Sequence, residues 1–365
     1  MLFLGQAANY TGSDILKHTF ATGSINDFKD LRRYLAVRYQ STPDKVALFH
    51  NGRSALAYAL KLLLPSRSEV LVNGFTCYAV VEAVRSARLT PVFADIDKQT
   101  LHYSPEELTK KIKQHPNLKA IIIQNSLGIT VDIAKIEQIA KKHNLIIIED
   151  LAHCTGAKYA DGREVGTVGT AAALSFGKGK SIDTISGGAI IMRDMSVIQP
   201  QVRPSLCDSL RDRWYPILGL IMRGARHLGL HKIVTGGFIK LGFIERSADA
   251  VLDPKVRLTY WQARLALAQL KARPARKRPP LRQHYLVEDR DAVLDELAQK
   301  GYIFQEVWYE TPISPARYYK KVHFDESECP NSVEISAHIV NLPDYYSKEQ
   351  LKDAIKIIKE HQYED

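Results

Sequence analysis

The stretch KAIIIQNSLGITVDIAKIEQIAKKHNLIIIED, residues 119–150, decides the fold. Its two ends, KAIIIQN (119–125) and LIIIED (145–150), are apolar on consecutive positions, the pattern of strands buried on both faces of a parallel sheet. Between them, VDIAKIEQIAKKH (131–143) places Ile133, Ile136, Ile139 and Ala140 at helical spacing, so a helix over 132–143 can cover the sheet with one stripe. The alternation extends outward in both directions. EVLVN (69–73), TPVFADI (90–96), AAALSF (171–176) and GAIIMRD (188–194) read as strands, and 53–63, 76–87 and 105–114 as helices. Repeated strand–helix–strand units from about 45 to 195 predict an α/β fold, with a mostly parallel central sheet flanked by helices and joined by right-handed crossovers.

After residue 195 the pattern breaks. Residues 200–250 mix Gly, Arg and short apolar clusters, and a long helix is expected at 256–272, stopping before Pro274. Pro279-Pro280 marks a hinge, followed by a small α+β unit with a helix near 290–299, a strand at 301–308 and a last helix at 347–360. Ser347 and Gln350 have the spacing of a capping box at its start. The expected division is a large α/β domain at 1–275, containing an atypical basic segment at 200–255, and a small C-terminal α+β domain at 276–365.

The chain has 365 residues, of which 45% are hydrophobic and 25% charged, which excludes disordered, collagen-like and disulfide-stapled classes. The formal charge of +10 is local: residues 201–287 hold 17 basic and 5 acidic side chains, a net of +12, and the remaining 33 − 35 leaves −2. Arg273, Arg276, Lys277, Arg278 and Arg282 gather around prolines without interleaved aromatics, so nucleic acid is not an expected partner. The apolar–basic mix at 214–244 admits peripheral membrane contact, but a dimer interface with a charged rim is the preferred expectation. Cys77, Cys154, Cys207 and Cys329 form no C-x-x-C pair, the start MLFLGQAANY has no basic n-region or long apolar stretch so that no secretory leader is expected, and the apolar run WYPILGLIM (214–222) stops at Arg223. A soluble cytoplasmic protein is expected. His227 and His231 lie four apart with no acid after the first and no third ligand, so no metal site is expected.

Ligands in open α/β sheets bind beyond the strand ends. Asp150 ends LIIIED, Ser175 lies near the end of AAALSF, and Lys180 follows five residues on, before Gly187-Gly188. One cofactor uses all three residue types. Pyridoxal phosphate needs a Schiff-base lysine, a carboxylate on its ring nitrogen, and hydroxyls with helix N-terminal amides for its phosphate.

The segments NGRSALAYAL (51–60), VNGFTCYAVVEAV (72–84), TPVFADIDKQTL (90–101), IIEDLAHCTGAKYADGREVGTVG (147–169) and SFGKGKSIDTISGGAI (175–190) resemble the DegT/DnrJ/EryC1/StrS family of sugar aminotransferases, which are fold-type-I pyridoxal-phosphate enzymes. The resemblance continues weakly through 257–270 and 341–360. It implies that Lys180 forms the Schiff base, Asp150 meets the ring nitrogen, and His153 lies near the ring and its 3-hydroxyl. It assigns phosphate binding to Arg53, Ser54 and Ser175, with Arg53 standing where the family more often has Thr. Cys77 occupies the position of the usual stacking aromatic, with Tyr78 next to it, so either Tyr78 stacks or something smaller covers the ring. Asn125 stands where the family often has His. Active sites of the family are shared in homodimers; here Lys255 and Arg257 match the crossing segment, with its Asn absent. WYETPISPARYY (308–319) matches the substrate loop, with Ser314 in place of His. The implied reaction moves an amino group from an amino acid, glutamate, to a nucleotide-linked keto-sugar. Two alternatives stand beside it: a pyridoxal-phosphate sugar dehydratase, whose relatives carry His in place of the lysine, and a non-catalytic regulatory or binding member of the fold.

Overall fold

The computed structural model describes residues 2–4, 10, 12–272, 281–304 and 307–363. The expected hinge at Pro279-Pro280 and the basic cluster 273–278 lie outside these. In chain order the principal strands are β1 (Val46–Phe49), β2 (Glu69–Asn73), β3 (Thr90–Ala94), β4 (Leu118–Ile123), β5 (Ile146–Asp150), β6 (Ala171–Ser175) and β7 (Gly188–Met192). The principal helices are α1 (Gly52–Leu63), α2 (Ile133–Lys142), α3 (Leu206–His227), α4 (His231–Lys240) and α5 (Tyr260–Ala272). The chain forms two compact units: 1–4, 56–173 and 275–365 make up the first, and 5–55 with 174–274 the second.

In the first unit β2 pairs in parallel with β3 and β4, β4 with β5, and β5 with β6. Pairing among these strands is parallel, as the consecutive apolar runs require. Ile121, Ile122 and Ile123 are fully buried, and α2 closes over the sheet with Ile133, Ile136 and Ala140. Each such isoleucine contributes about 1.5–3 kcal/mol. The C-terminal part of this unit pairs Arg282–Leu286 antiparallel with Ile339–Pro343 around its own cluster of Val293, Leu297, Leu342 and Ile358. In the second unit β1 and β7 pair antiparallel. The mostly parallel α/β organisation expected from the sequence is therefore what the chain forms.

Three boundaries differ from the sequence reading, each for a non-local reason. α5 begins at Tyr260 rather than near 256, because Val256 bridges Val202 and Arg257 bridges Phe49. The last helix starts at Lys352, although Ser347 and Gln350 do exchange the two capping bonds, at 2.9 and 3.2 Å. Residues 200–250 are not irregular: α3 and α4 fill most of the segment, with Pro216 inside α3.

Side chains of β5 alternate in direction, and Glu149 turns into the protein. It is fully buried, and its two oxygens accept from the Tyr159 hydroxyl (2.7 Å) and from the amides of Gly166 (2.7 Å), Val168 (2.8 Å) and Gly169 (2.6 Å). Burial and the Glu149 charge push the Tyr159 phenol well up, so it remains the donor. Gly169 has no room for a side chain, since a Cβ there would stand 2.7 Å from the Ile147 carbonyl oxygen. The GREVGTVG motif is thus the loop that wraps this carboxylate.

Glu149→Gln leaves amides facing a group with one acceptor oxygen and no charge. It is expected to lower the unfolding free energy by about 3 kcal/mol, read from urea melts; an unchanged midpoint contradicts the clamp. A second expectation concerns pH. Burial lowers His18 to about 4, and its ring lies edge-on to Tyr10 and Trp261. The unfolded chain takes up the proton near pH 6.5, so this stability is complete above that value and drains away as pH falls toward about 4. The slope approaches about 1.4 kcal/mol per pH unit. His18→Phe, which keeps the ring but cannot titrate, should flatten the decline in melting temperature between those values.

Candidate active site

In the first unit Asp150 ends β5 and turns the opposite way from Glu149. Its Oδ1 accepts from the Ala152 amide at 3.0 Å, which fixes the carboxylate at the strand end, partly open to solvent. His153 follows in the same turn. Its Nδ1 accepts from the Leu127 amide at 3.1 Å, so the ring proton sits on Nε2. The ring stacks on Trp308, with centroids 5.0 Å apart at 27°, and the Tyr309 hydroxyl lies 3.4 Å from Nδ1.

Tyr309 was read from sequence only as part of a loop motif. It is buried, packs on Phe75 at 4.5 Å, and its phenol is pushed well up by burial and by the neighbouring Cys77 and Asp150. The loop bearing it reaches Cys77 through a short parallel ladder, Ile313 with Thr76 and Ser314 with Cys77. The fold therefore brings Cys77, Asp150, His153, Tyr309 and Ser314 into one neighbourhood. It does not leave Tyr78 open, because that ring is stacked on Tyr318, with centroids 4.2 Å apart at 9°. Asn125 is fully buried and turned inward: its Oδ1 accepts from the Val131 amide, and its Nδ2 approaches the Tyr159 hydroxyl and the Cys154 sulfur. Its local work is to hold the turn after β4.

In the second unit three backbones meet at the start of α1. A Cβ on Gly52 would lie 2.8 Å from that of Ser175, and one on Gly188 would strike the Gly52 nitrogen at 2.6 Å. Only glycine permits this approach, and it presses the Ser175 hydroxyl against the first turn of the helix. Ser54 accepts the Asp253 amide on its Oγ at 3.0 Å. Arg53 is buried and donates to the carbonyls of Ala250 (2.8 Å) and Ala248 (3.2 Å), so its fork braces the segment leading to Lys255. Lys255 itself is exposed.

The loop after Ser175 carries two lysines that resolve differently. Asp183 gathers the loop: Oδ2 accepts from the Gly179 amide at 2.8 Å, and Oδ1 from the Ile185 amide (2.9 Å) and the Tyr10 hydroxyl (2.7 Å). Gln269 of α5 then bonds the Asp183 backbone on both sides, at 2.8 and 2.7 Å. Lys178 is drawn inward, donating to the Glu245 carbonyl at 2.6 Å over the Tyr215 ring, and burial lowers its pKa. Lys178 and Lys180 are both half-buried.

Comparison with known proteins follows the same residues. The DegT/DnrJ/EryC1/StrS aminotransferase family model matches residues 28–210. The GDP-perosamine synthase of Escherichia coli O157:H7 is 36% identical over 148 residues, 40% of each chain. That of Caulobacter vibrioides is 29% identical over 242 residues, 60% of this chain and 64% of that protein. The chain thus matches less than two thirds of the length of either relative. Among solved structures, S. venezuelae DesV in complex with a ketimine intermediate shares the fold with a TM-score of 0.69 and 20% identity, covering 100% of this chain and 99% of that one. By the family match over half its length, this chain belongs to the DegT/DnrJ/EryC1/StrS aminotransferase family.

Proposed function

We propose that this chain is a pyridoxal-phosphate-dependent aminotransferase that moves an amino group from glutamate to a nucleotide-linked keto-sugar. The observation that carries this reading is the close approach of Gly52, Ser175 and Gly188 at the start of α1, followed by the Asp183-pinned loop that bears Lys180, while Lys178 donates to the Glu245 carbonyl. Relatives named for a GDP-linked sugar support the substrate class. The sugar dehydratase alternative is disfavoured by Lys180, where those relatives have His.

The residues present fit the cofactor. Helix-start amides beside a Ser175 hydroxyl held close by Gly52 and Gly188 form a donor set suited to a phosphate. When bound, pyridoxal phosphate supplies an electron sink for moving a proton at carbon. Lys180 Nζ would hold the cofactor and, once released from it, carry that proton. Asp150, fixed by the Ala152 amide, would keep the ring nitrogen protonated. His153, whose Nδ1 accepts from the Leu127 amide, would lie near the ring and its 3-hydroxyl. Cys77 would lie against the ring, since Tyr78 is engaged by Tyr318. Asn125 acts as a positioning residue for its turn, and Arg53 and Ser54 brace the 248–253 segment beside the phosphate end.

The proposal extends to a homodimer with shared sites, in which the exposed Lys255 serves the partner subunit, and to a small domain spanning 276–365. The four cysteines are unpaired, the state a reducing cytoplasm maintains, and the cytoplasm is where this reading places the protein.

Purified protein supplied with pyridoxal phosphate should show a visible absorption band that Lys180→Ala abolishes and Lys178→Ala retains. Amino transfer from glutamate should fall by at least about a thousandfold in Lys180→Ala. A band that survives Lys180→Ala contradicts the assignment. A wild-type protein that binds the cofactor but aminates no keto-sugar places the chain among regulatory members of the fold.

A further inference from the structure

We propose that Asp212 of α3 is a positioning residue for the phosphate cradle at Gly52, Ser175 and Gly188, a role that rests on the pyridoxal-phosphate reading above. The close approach of Gly52 and Gly188 has two arms, His50-Asn51-Gly52 and Ser186-Gly187-Gly188, which are bridged at Asn51 and Gly187. Two residues before its glycine, each arm sends a side chain toward the same oxygen. The Ser186 hydroxyl donates to Asp212 Oδ2, and His50 Nε2 lies 3.8 Å from that oxygen. Gln262 of α5 closes the cluster. Its Nε2 donates to Ser186 Oγ at 2.8 Å, approaches Asp212 Oδ2 at 3.4 Å, and reaches the carbonyls of Thr184 and Ser186 at 3.2 and 3.3 Å. One carboxylate thus ties both arms just before their glycines meet.

The carboxylate is not needed to attach α3. Three residues on, and so on the same face of the helix, Tyr215 packs with Tyr10, Ile185 and Ile244, and Leu218 and Met222 join that cluster. Those apolar contacts already anchor the helix beside Ser186. Asp212 is buried, and burial raises its pKa, opposed by His50, the Ser186 hydroxyl, Lys178 and Arg211. Burying a carboxylate carries a cost that an apolar side chain would avoid. The nearby cations have other partners: Arg211 pairs with Asp208 and Glu245, and Lys178 donates to the Glu245 carbonyl. The groups Asp212 holds are those of the two arms and the glutamine that braces them.

Position and charge predict opposite signs. A negative charge near a phosphate site repels the ligand, so if charge governed, removing Asp212 would tighten phosphate binding. If the contact to Ser186 governs, removing it loosens the arm that carries Gly188 and weakens phosphate binding.

The test compares full-length proteins, freed of cofactor, for affinity toward pyridoxal phosphate and pyridoxal, read from visible absorption, with inorganic phosphate as competitor. Asp212→Ala and Ser186→Ala should each weaken pyridoxal phosphate and inorganic phosphate about tenfold, and leave pyridoxal, which has no phosphate, within about twofold. The double variant should lose no more than either single one, since both break the same contact. Asp212→Asn keeps an acceptor for Ser186 and should lose less. Ser186→Ala deletes one oxygen, and it decides the matter alone if Asp212→Ala fails to fold. Equal losses toward pyridoxal and pyridoxal phosphate mark a merely structural role and overturn the proposal. Tighter phosphate binding in Asp212→Ala, or unchanged affinity in Ser186→Ala, does the same. A wild-type protein that binds no pyridoxal phosphate overturns the underlying reading together with this one. Wild-type binding with an unchanged ratio of the two affinities in the variants overturns the positioning role alone.

Discussion

The carboxylate of Asp183 is the interaction on which the functional reading rests. It accepts from two amides of its own loop and from the Tyr10 hydroxyl, and α5 grips its backbone through Gln269. A buried carboxylate satisfied by three donors is costly to disrupt and admits few alternative geometries. The loop between Ser175 and Gly188, which carries Lys178 and Lys180, is therefore held in a defined shape. Tyr10 feels the same contact from the other side: burial, reinforced by Asp183, pushes its phenol well up, so it stays a donor.

Glu149 plays the corresponding part in the first unit, where four donors converge on it. The two most recognisable motifs of the chain thus each pair a residue proposed to react with a structural one: Asp150 beside Glu149, Lys180 near Asp183. In both, the residue expected to react is the one left partly accessible at a strand or loop end, while its neighbour fixes the backbone. Catalytic positioning by satisfied buried groups is how a site on loops can reach the precision that chemistry requires.

What was legible in the sequence follows from which forces are local. Consecutive apolar positions located β4 and β5, and the 3.6-residue stripe located α2, because burial acts through each residue's own side chain. The spacing of Lys180 to Ser175 and Gly187 singles it out among neighbouring lysines as the expected Schiff-base residue. Features set by distant partners were not legible. Arg53, expected at the phosphate, also donates to the carbonyls of Ala248 and Ala250, contacts that leave no local signal. The stack of Tyr78 on Tyr318 joins residues far apart in sequence, and Tyr309 gave no signal beyond its loop motif. α3 and α4 escaped notice because Pro216, several glycines and scattered arginines break the pattern, although the apolar positions keep helical spacing throughout.

The +10 charge, which at first invites a nucleic-acid reading, belongs instead to the segment that bears α3 and α4. The proposed chemistry rests elsewhere, on Lys180 and the loop that bears it. The most direct test is to load the wild-type protein with pyridoxal phosphate, fix the linkage with borohydride, and map the modified peptide by mass spectrometry. The account predicts the pyridoxyl group on Lys180 and none on Lys178; modification of Lys178, or of neither lysine, would contradict it.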